Sequence, residues 1–229
     1  MLPKAILFSL RVVFLTTSSN IYCQPLKPPI EVLNSELLDA SYGGSMEEVK
    51  RLLLMGADIN TKNEFGSTPF KLAVVNNNVN VVELFLQLGQ DPNKESVDET
   101  VSGGTPLMSA AANGNIELVK LLLKFGAKPD YPTSGRHTAL MSATGHTEIF
   151  KILVNHGANI HARDNYGRTV LIWAALHGTE EVVALLCEMG ADPEIKDKGG
   201  NTAVSEAKNK LRLSIVKLLE DCSKNKAPN

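Results

Sequence analysis

With 229 residues, 43% of them hydrophobic, the chain has ample apolar surface to bury and lies outside the disordered class. A formal net charge of -2 and a pI near 6.2 leave no basic stripe for nucleic acid or an anionic membrane. Aromatic residues make up only 5% of the chain and Trp173 is the single tryptophan, which argues against base-stacking platforms and aromatic-lined small-molecule cavities.

The first predicted element is a leader over residues 1–23. Lys4 precedes an apolar run in MLPKAILFSLRVVFL, and Thr16-Thr17-Ser18-Ser19-Asn20 then offers small residues where a signal peptidase would cut. Export to the periplasm or beyond is the expectation, with a frayed or buried N-terminal helix of a cytoplasmic protein as the alternative. Cys23 follows bulky Tyr22, whereas a lipidated cysteine needs a small residue before it. A proline-stiffened lead-in, QPLKPPI, belongs to residues 24–33. No later segment approaches the ~18 consecutive apolar residues of a membrane span.

From residue 34 to 223 the chain repeats itself. Residues 105–127, TPLMSAAANGNIELVKLLLKFGA, and 169–191, TVLIWAALHGTEEVVALLCEMGA, carry small, apolar and glycine residues at the same positions. Helix openers pair with closing glycines as Ser35/Gly56, Thr68/Gly89, Thr105/Gly126, Thr138/Gly157 and Thr169/Gly190, and Thr202 opens a last unit that lacks its glycine. Successive openers lie 33, 37, 33, 31 and 33 residues apart, the period of a solenoid array. Six units follow, over 34–60, 61–93, 94–130, 131–161, 162–194 and 195–223, with a tail at 224–229.

Each unit predicts two short antiparallel helices. Thr68 and Thr105 are N-cap residues, with Pro69 and Pro106 at the first helical position, where a missing N–H costs nothing. The second helix carries apolar residues at helical spacing, as Ile116, Val119, Leu122 and Leu123 show, before Gly126 closes it. Turn signals such as Asn63-Glu64-Phe65-Gly66 and Asp164-Asn165-Tyr166-Gly167 mark hairpin-like fingers between helix pairs.

On these residues the chain resembles the ankyrin-repeat family, whose T-P-L-H-x-A signature is partly spelled by Thr105-Pro106-Leu107-Met108-Ser109-Ala110. The GAD-x-N-type ending recurs at Gly56-Ala57-Asp58-Ile59-Asn60, Gly157-Ala158-Asn159-Ile160-His161 and Gly190-Ala191-Asp192-Pro193. The resemblance implies an all-α ankyrin-repeat solenoid of six helix-pair units joined by β-hairpin-like fingers. The family's usual histidine is replaced by Lys71, Met108, Met141, Ile172 and Ser205, so its bond between hairpin and helix is expected to be missing, at some cost in stability.

Two units depart from the template. The linker before Thr105, KESVDETVSGG, is four residues longer than its siblings and predicts an acidic finger with Glu95, Asp98 and Glu99. The fourth unit lacks two residues between Ala143 and Gly145 and has Arg136 in place of the usual turn glycine, which should tilt the stack. The last unit has the polar surface of a cap, and Lys208, Lys210 and Arg212 fit a solvated end better than a dock for an acidic partner. The three cysteines make no disulfide framework and say nothing of compartment. Cys187 stands where Leu86, Leu123 and Val154 stand in other units, and is expected to be a small core residue.

No catalytic constellation is present. His137, His146, His156, His161 and His177 form no metal-binding spacing, and no nucleophile elbow, phosphate loop or dinucleotide motif occurs. His146 is expected to be structural. Neither enzyme activity nor a cofactor or metal is expected. What remains is recognition of a partner protein by a monomer through the concave face of fingers and first helices. The family's variable contact positions fall on Glu64, Phe65 and Asn76, then Val101, Ser102 and Asn113, then His137, and last Asn165, Tyr166, Arg168 and His177. Phe65, Tyr166 and Arg168 are the expected anchors, because exposed aromatics and arginine carry much interface energy. Trp173, on the inner helix face, is expected in the core. The alternative role is a structural or chaperone-like accessory to an enzyme of the same compartment, using the same face.

Overall fold

A computed structural model describes residues 28–94 and 104–224. The leader, the acidic finger with Val101 and Ser102, and residues 225–229 lie outside the described residues.

Twelve α-helices and no strand occur among the described residues. They pair as α1 (Ile30–Gly43) with α2 (Met46–Leu54), α3 (Pro69–Val75) with α4 (Val79–Gln87), and α5 (Pro106–Ala112) with α6 (Ile116–Lys124). The series continues with α7 (Ala139–Ser142) and α8 (Thr147–Asn155), α9 (Val170–His177) and α10 (Glu180–Glu188), and α11 (Ala203–Asn209) and α12 (Leu213–Lys224). Odd-numbered helices stack on one another and even-numbered helices form a second layer behind them.

The expected caps explain where the helices start. The hydroxyls of Thr68, Thr105, Thr138, Thr169 and Thr202 each accept from the backbone N–H three residues on, at 3.2 to 3.3 Å. Closing glycines such as Gly126, at φ 88°, adopt the left-handed conformation that ends the second helix. Between the layers runs one continuous core, in which Phe85 and Phe150 are fully buried and Phe70 meets Phe85 edge-on at 6.2 Å.

Hydrogen bonds between units hold the register of the stack. At the ends of the first helices, the Asn78 amide donates to the Ser41 and Tyr42 carbonyls, Asn113 to that of Val75, and a ring nitrogen of His146 lies 3.1 Å from the Ala112 carbonyl. Asn34 of α1 accepts from the Asp58 N–H, and in the loops Asn93 accepts from Lys128 and Asp130 from Asn159. His146 is thus structural, as expected.

Several expectations need correction. Helix α1 begins at Ile30, capped by the backbone of Pro29, so the lead-in ends four residues early and Ser35 lies inside the helix. The hairpin-like fingers are present as tight turns closed by bonds such as that from the Asp164 N–H to the Arg168 carbonyl, with a single bridge pair, Arg163 with Thr169, among the described residues. In the fourth unit the missing residues are absorbed by a shortened α7 followed by a 3-10 turn over Ala143–Gly145. The lost histidine bond is partly replaced: the Ser205 hydroxyl accepts from the Thr202 N–H at 2.9 Å, and the Met108 sulfur from the Thr105 N–H at 3.5 Å. Cys187, on α10, is no inert core residue: it forms a disulfide with Cys222 on α12, their Cα atoms 5.7 Å apart.

Candidate protein-interaction surface

The finger of the fifth unit is built on a buried carboxylate. Asp164 Oδ1 accepts from the backbone N–H groups of Tyr166 and Arg168, both at 2.9 Å, which closes the turn. Its other oxygen accepts from Arg168 Nε at 2.7 Å and from Trp173 Nε1 at 3.1 Å. One buried charge therefore fixes the finger backbone, an arginine and the indole of the following helix.

Around this anchor the side chains pile up. The Arg168 guanidinium carbon sits 4.2 Å from the Trp173 ring centre and 4.9 Å from that of Tyr166, within range of cation–π attraction. His137 meets Trp173 edge-on at 4.8 Å, with its Nε2 3.0 Å from the Ser142 hydroxyl, and the His177 ring centre lies 5.7 Å from that of Trp173. Burial lowers the pKa of His137, with Asp164 opposing and Arg168 reinforcing. That of His177 is also lowered, by burial first and then by the positive charges of Lys210, Arg212 and Arg168.

The structure thus gathers four of the expected contact residues, His137, Tyr166, Arg168 and His177, into one cluster. Tyr166 remains 66% exposed at its rim. Asn165 is exposed beside it, but its amide donates to the Ser134 carbonyl at 2.7 Å and ties two fingers together. Glu64 and Phe65 stand exposed on the second finger, Phe65 at 65%. Asn76 caps its own helix by donating to the Leu72 carbonyl, while the Asn113 amide is used between units.

Two members of the cluster escaped sequence reasoning. Trp173 packs partly against the core, as expected, yet the same ring is the platform for Arg168. The signal was available, since Ser109 and Ser142 occupy the equivalent position and polar siblings mark an outward-facing site. Asp164 shares its finger position with Asn63 and Asp197, each of which accepts two backbone N–H groups through one oxygen. Among the described residues no group of three His, Cys, Asp or Glu side chains converges to hold a metal. Nor does any helix there have the length and apolarity to cross a membrane.

A family model of three ankyrin repeats matches residues 37–133, 88–164 and 132–197. The chain belongs to the ankyrin-repeat family. It is 30% identical over 200 residues to a putative ankyrin repeat protein of Escherichia coli, YahD, covering 83% of this chain and 96% of that one. A solved ankyrin repeat domain from Acinetobacter baumannii superposes with a TM-score of 0.67 at 28% identity, over 81% of this chain and 96% of the other. A shorter match, 38% identical over 73 residues, is to the human mitochondrial disaggregase, of whose length this chain spans 10%. Ankyrin repeats are in general protein–protein interaction modules.

Proposed function

We propose that this ankyrin-repeat chain is a non-enzymatic interaction module that grips a partner protein across its fingers and first helices, outside the cytoplasm. The observation that carries the reading is the cluster of Tyr166, Arg168, Trp173, His137 and His177. It concentrates aromatic and arginine side chains, the types that dominate interface energies, on a support rigid enough to spare the partner the cost of ordering it. All its members come from one chain, so a monomer suffices. The disulfide between Cys187 and Cys222 supports an oxidising compartment, because such bonds are rare in the cytosol, and the leader-like residues 1–23 agree.

Affinity capture from the native cell, repeated with Phe65→Ala/Tyr166→Ala, tests the interaction. The pair should cost roughly tenfold or more in affinity with little change in melting temperature, while Lys120→Ala, on an exposed position of α6, leaves binding intact. Unchanged affinity in the double variant would move the partner off this face. Capture of one endogenous enzyme whose activity falls in a deletion strain would assign the accessory role. Mass spectrometry of the native chain tests export: a start near Asn20 or Gln24 with the cysteines oxidised is expected, and an intact Met1 with free thiols would place the protein in the cytoplasm.

A further inference from the structure

We infer that the Arg168 cluster is a receptor for a single carboxylate, an Asp or Glu side chain presented by the partner segment; this rests on the interaction-module reading. Arg168 is held from three directions and open in a fourth. Its Nε is bound by Asp164 at 2.7 Å, and its planar group lies between the rings of Trp173 and Tyr166. The terminal nitrogens, Nη1 and Nη2, have no hydrogen-bond partner among the described residues, and the side chain remains 27% exposed. They form the fork that matches the two oxygens of a carboxylate, already oriented before any ligand arrives.

Charge around the fork favours an anion. Lys210, exposed and without an ion pair among the described residues, and Arg212 both bear on His177 beside Trp173. Lys208 is paired with Glu220, and Arg212 donates to the carbonyls of Ala174, Ala175 and Gly178. Of the neighbouring carboxylates, Asp164 is fully engaged and Asp197 is occupied by Gly199 and Asn201. Glu206 stands one unit on, at the position equivalent to Trp173. A single arginine whose Nε is already paired with Asp164 and whose two terminal nitrogens form one fork suits a monoanion; a phosphate dianion calls for a cluster of arginines.

The test selects ligands for the immobilised full chain from a random peptide display library, then follows the selected synthetic peptide by emission of the lone Trp173. A fixed Asp or Glu should emerge, and its replacement by Asn or Gln should weaken binding roughly tenfold or more. Arg168→Lys, which keeps the charge but not the fork, should cost the acidic peptide a similar factor and its neutral counterpart almost nothing. Lys210→Glu, on an exposed site, should weaken the acidic peptide several-fold in a chain that folds normally. Selected peptides without an acidic position, equal binding by Arg168→Lys, or no selected peptide at all would overturn the receptor. Peptides that ignore Arg168 yet lose affinity with Tyr166→Ala would leave the interaction surface standing without it.

Discussion

In the second unit, Asn63 closes the finger by accepting from the N–H groups of Phe65 and Ser67 at 3.1 and 2.9 Å, and the rest of its amide makes no bond to the following helix. In the fifth, Asp164 closes the same turn with one oxygen and spends the other on Arg168 and Trp173. The helix position that holds Trp173 in the fifth unit holds Leu72 in the second. Between the second and third units the face opens into a hollow of about 190 Å3 lined by Lys62, Lys71, Gln90, Lys94 and Ser109 among others, and Ser109 is the third unit's counterpart of Trp173. One backbone template thus yields an open hollow in one place and a filled, ordered cluster in another. The repeat sets where side chains stand, and one or two residue choices set whether they make a site.

The two halves also differ in how they are held. Only the last two units are joined covalently, through Cys187 and Cys222, which are 35 residues apart. Closing a loop of that length removes about 3–4 kcal/mol of unfolded-state entropy, the largest effect expected of any single change here. Cys187→Ser/Cys222→Ser, or reduction of the native chain, should lower stability by that order, with hydrogen exchange rising first in α11 and α12. Equal loss of protection in α3 and α4 would show that the array unfolds as one unit and that the clasp has no regional role.

Exchanging the two finger residues sharpens the comparison. Asp164→Asn keeps the turn through its amide oxygen but sets an NH2 donor where Oδ2 accepted, so Trp173 Nε1 and Arg168 Nε both lose their acceptor, and should cost about 1–3 kcal/mol. The reverse change, Asn63→Asp, meets Ser67 at the position where the fifth finger has Arg168, and should stay within about 0.5 kcal/mol of the parent. Denaturant midpoints measure both. Equal costs would mean that Asp164 serves the turn alone.

The fold was legible because its signals are local and repeated: an N-capping threonine, a closing glycine, and an apolar stripe between them. What escaped depended on partners distant in sequence or on a local rule that was broken. Helix α1 lacks a side-chain cap, so nothing marked its start at Ile30. Cys187 occupies a core-like position, and its bond to Cys222 depends on the register of a last unit that has no closing glycine. Sequence singled out Arg168 as an anchor but did not show that it is held in a stack, nor that Asn113 is spent on the Val75 carbonyl. Both are decided by what each side chain touches.

A smaller effect than that of Asp164→Asn concerns the turn residue that differs between fingers. Gly66, Gly167 and Gly200 take φ of 72°, 76° and 81°, and Arg136 holds the equivalent place in the fourth unit at 53°. A side chain in this region costs about 1–2 kcal/mol, and replacing it by glycine gives back about 0.4–1 kcal/mol through the looser unfolded chain. Arg136→Gly should therefore stabilise by about 0.5–1 kcal/mol. Gly167→Ala should destabilise by more than that, since its Cβ would also stand 3.3 Å from the Lys198 backbone nitrogen. Loss of stability in Arg136→Gly would show that the exposed arginine repays its strained backbone through contacts with the neighbouring finger, and that the fourth unit departs from the template for a structural gain.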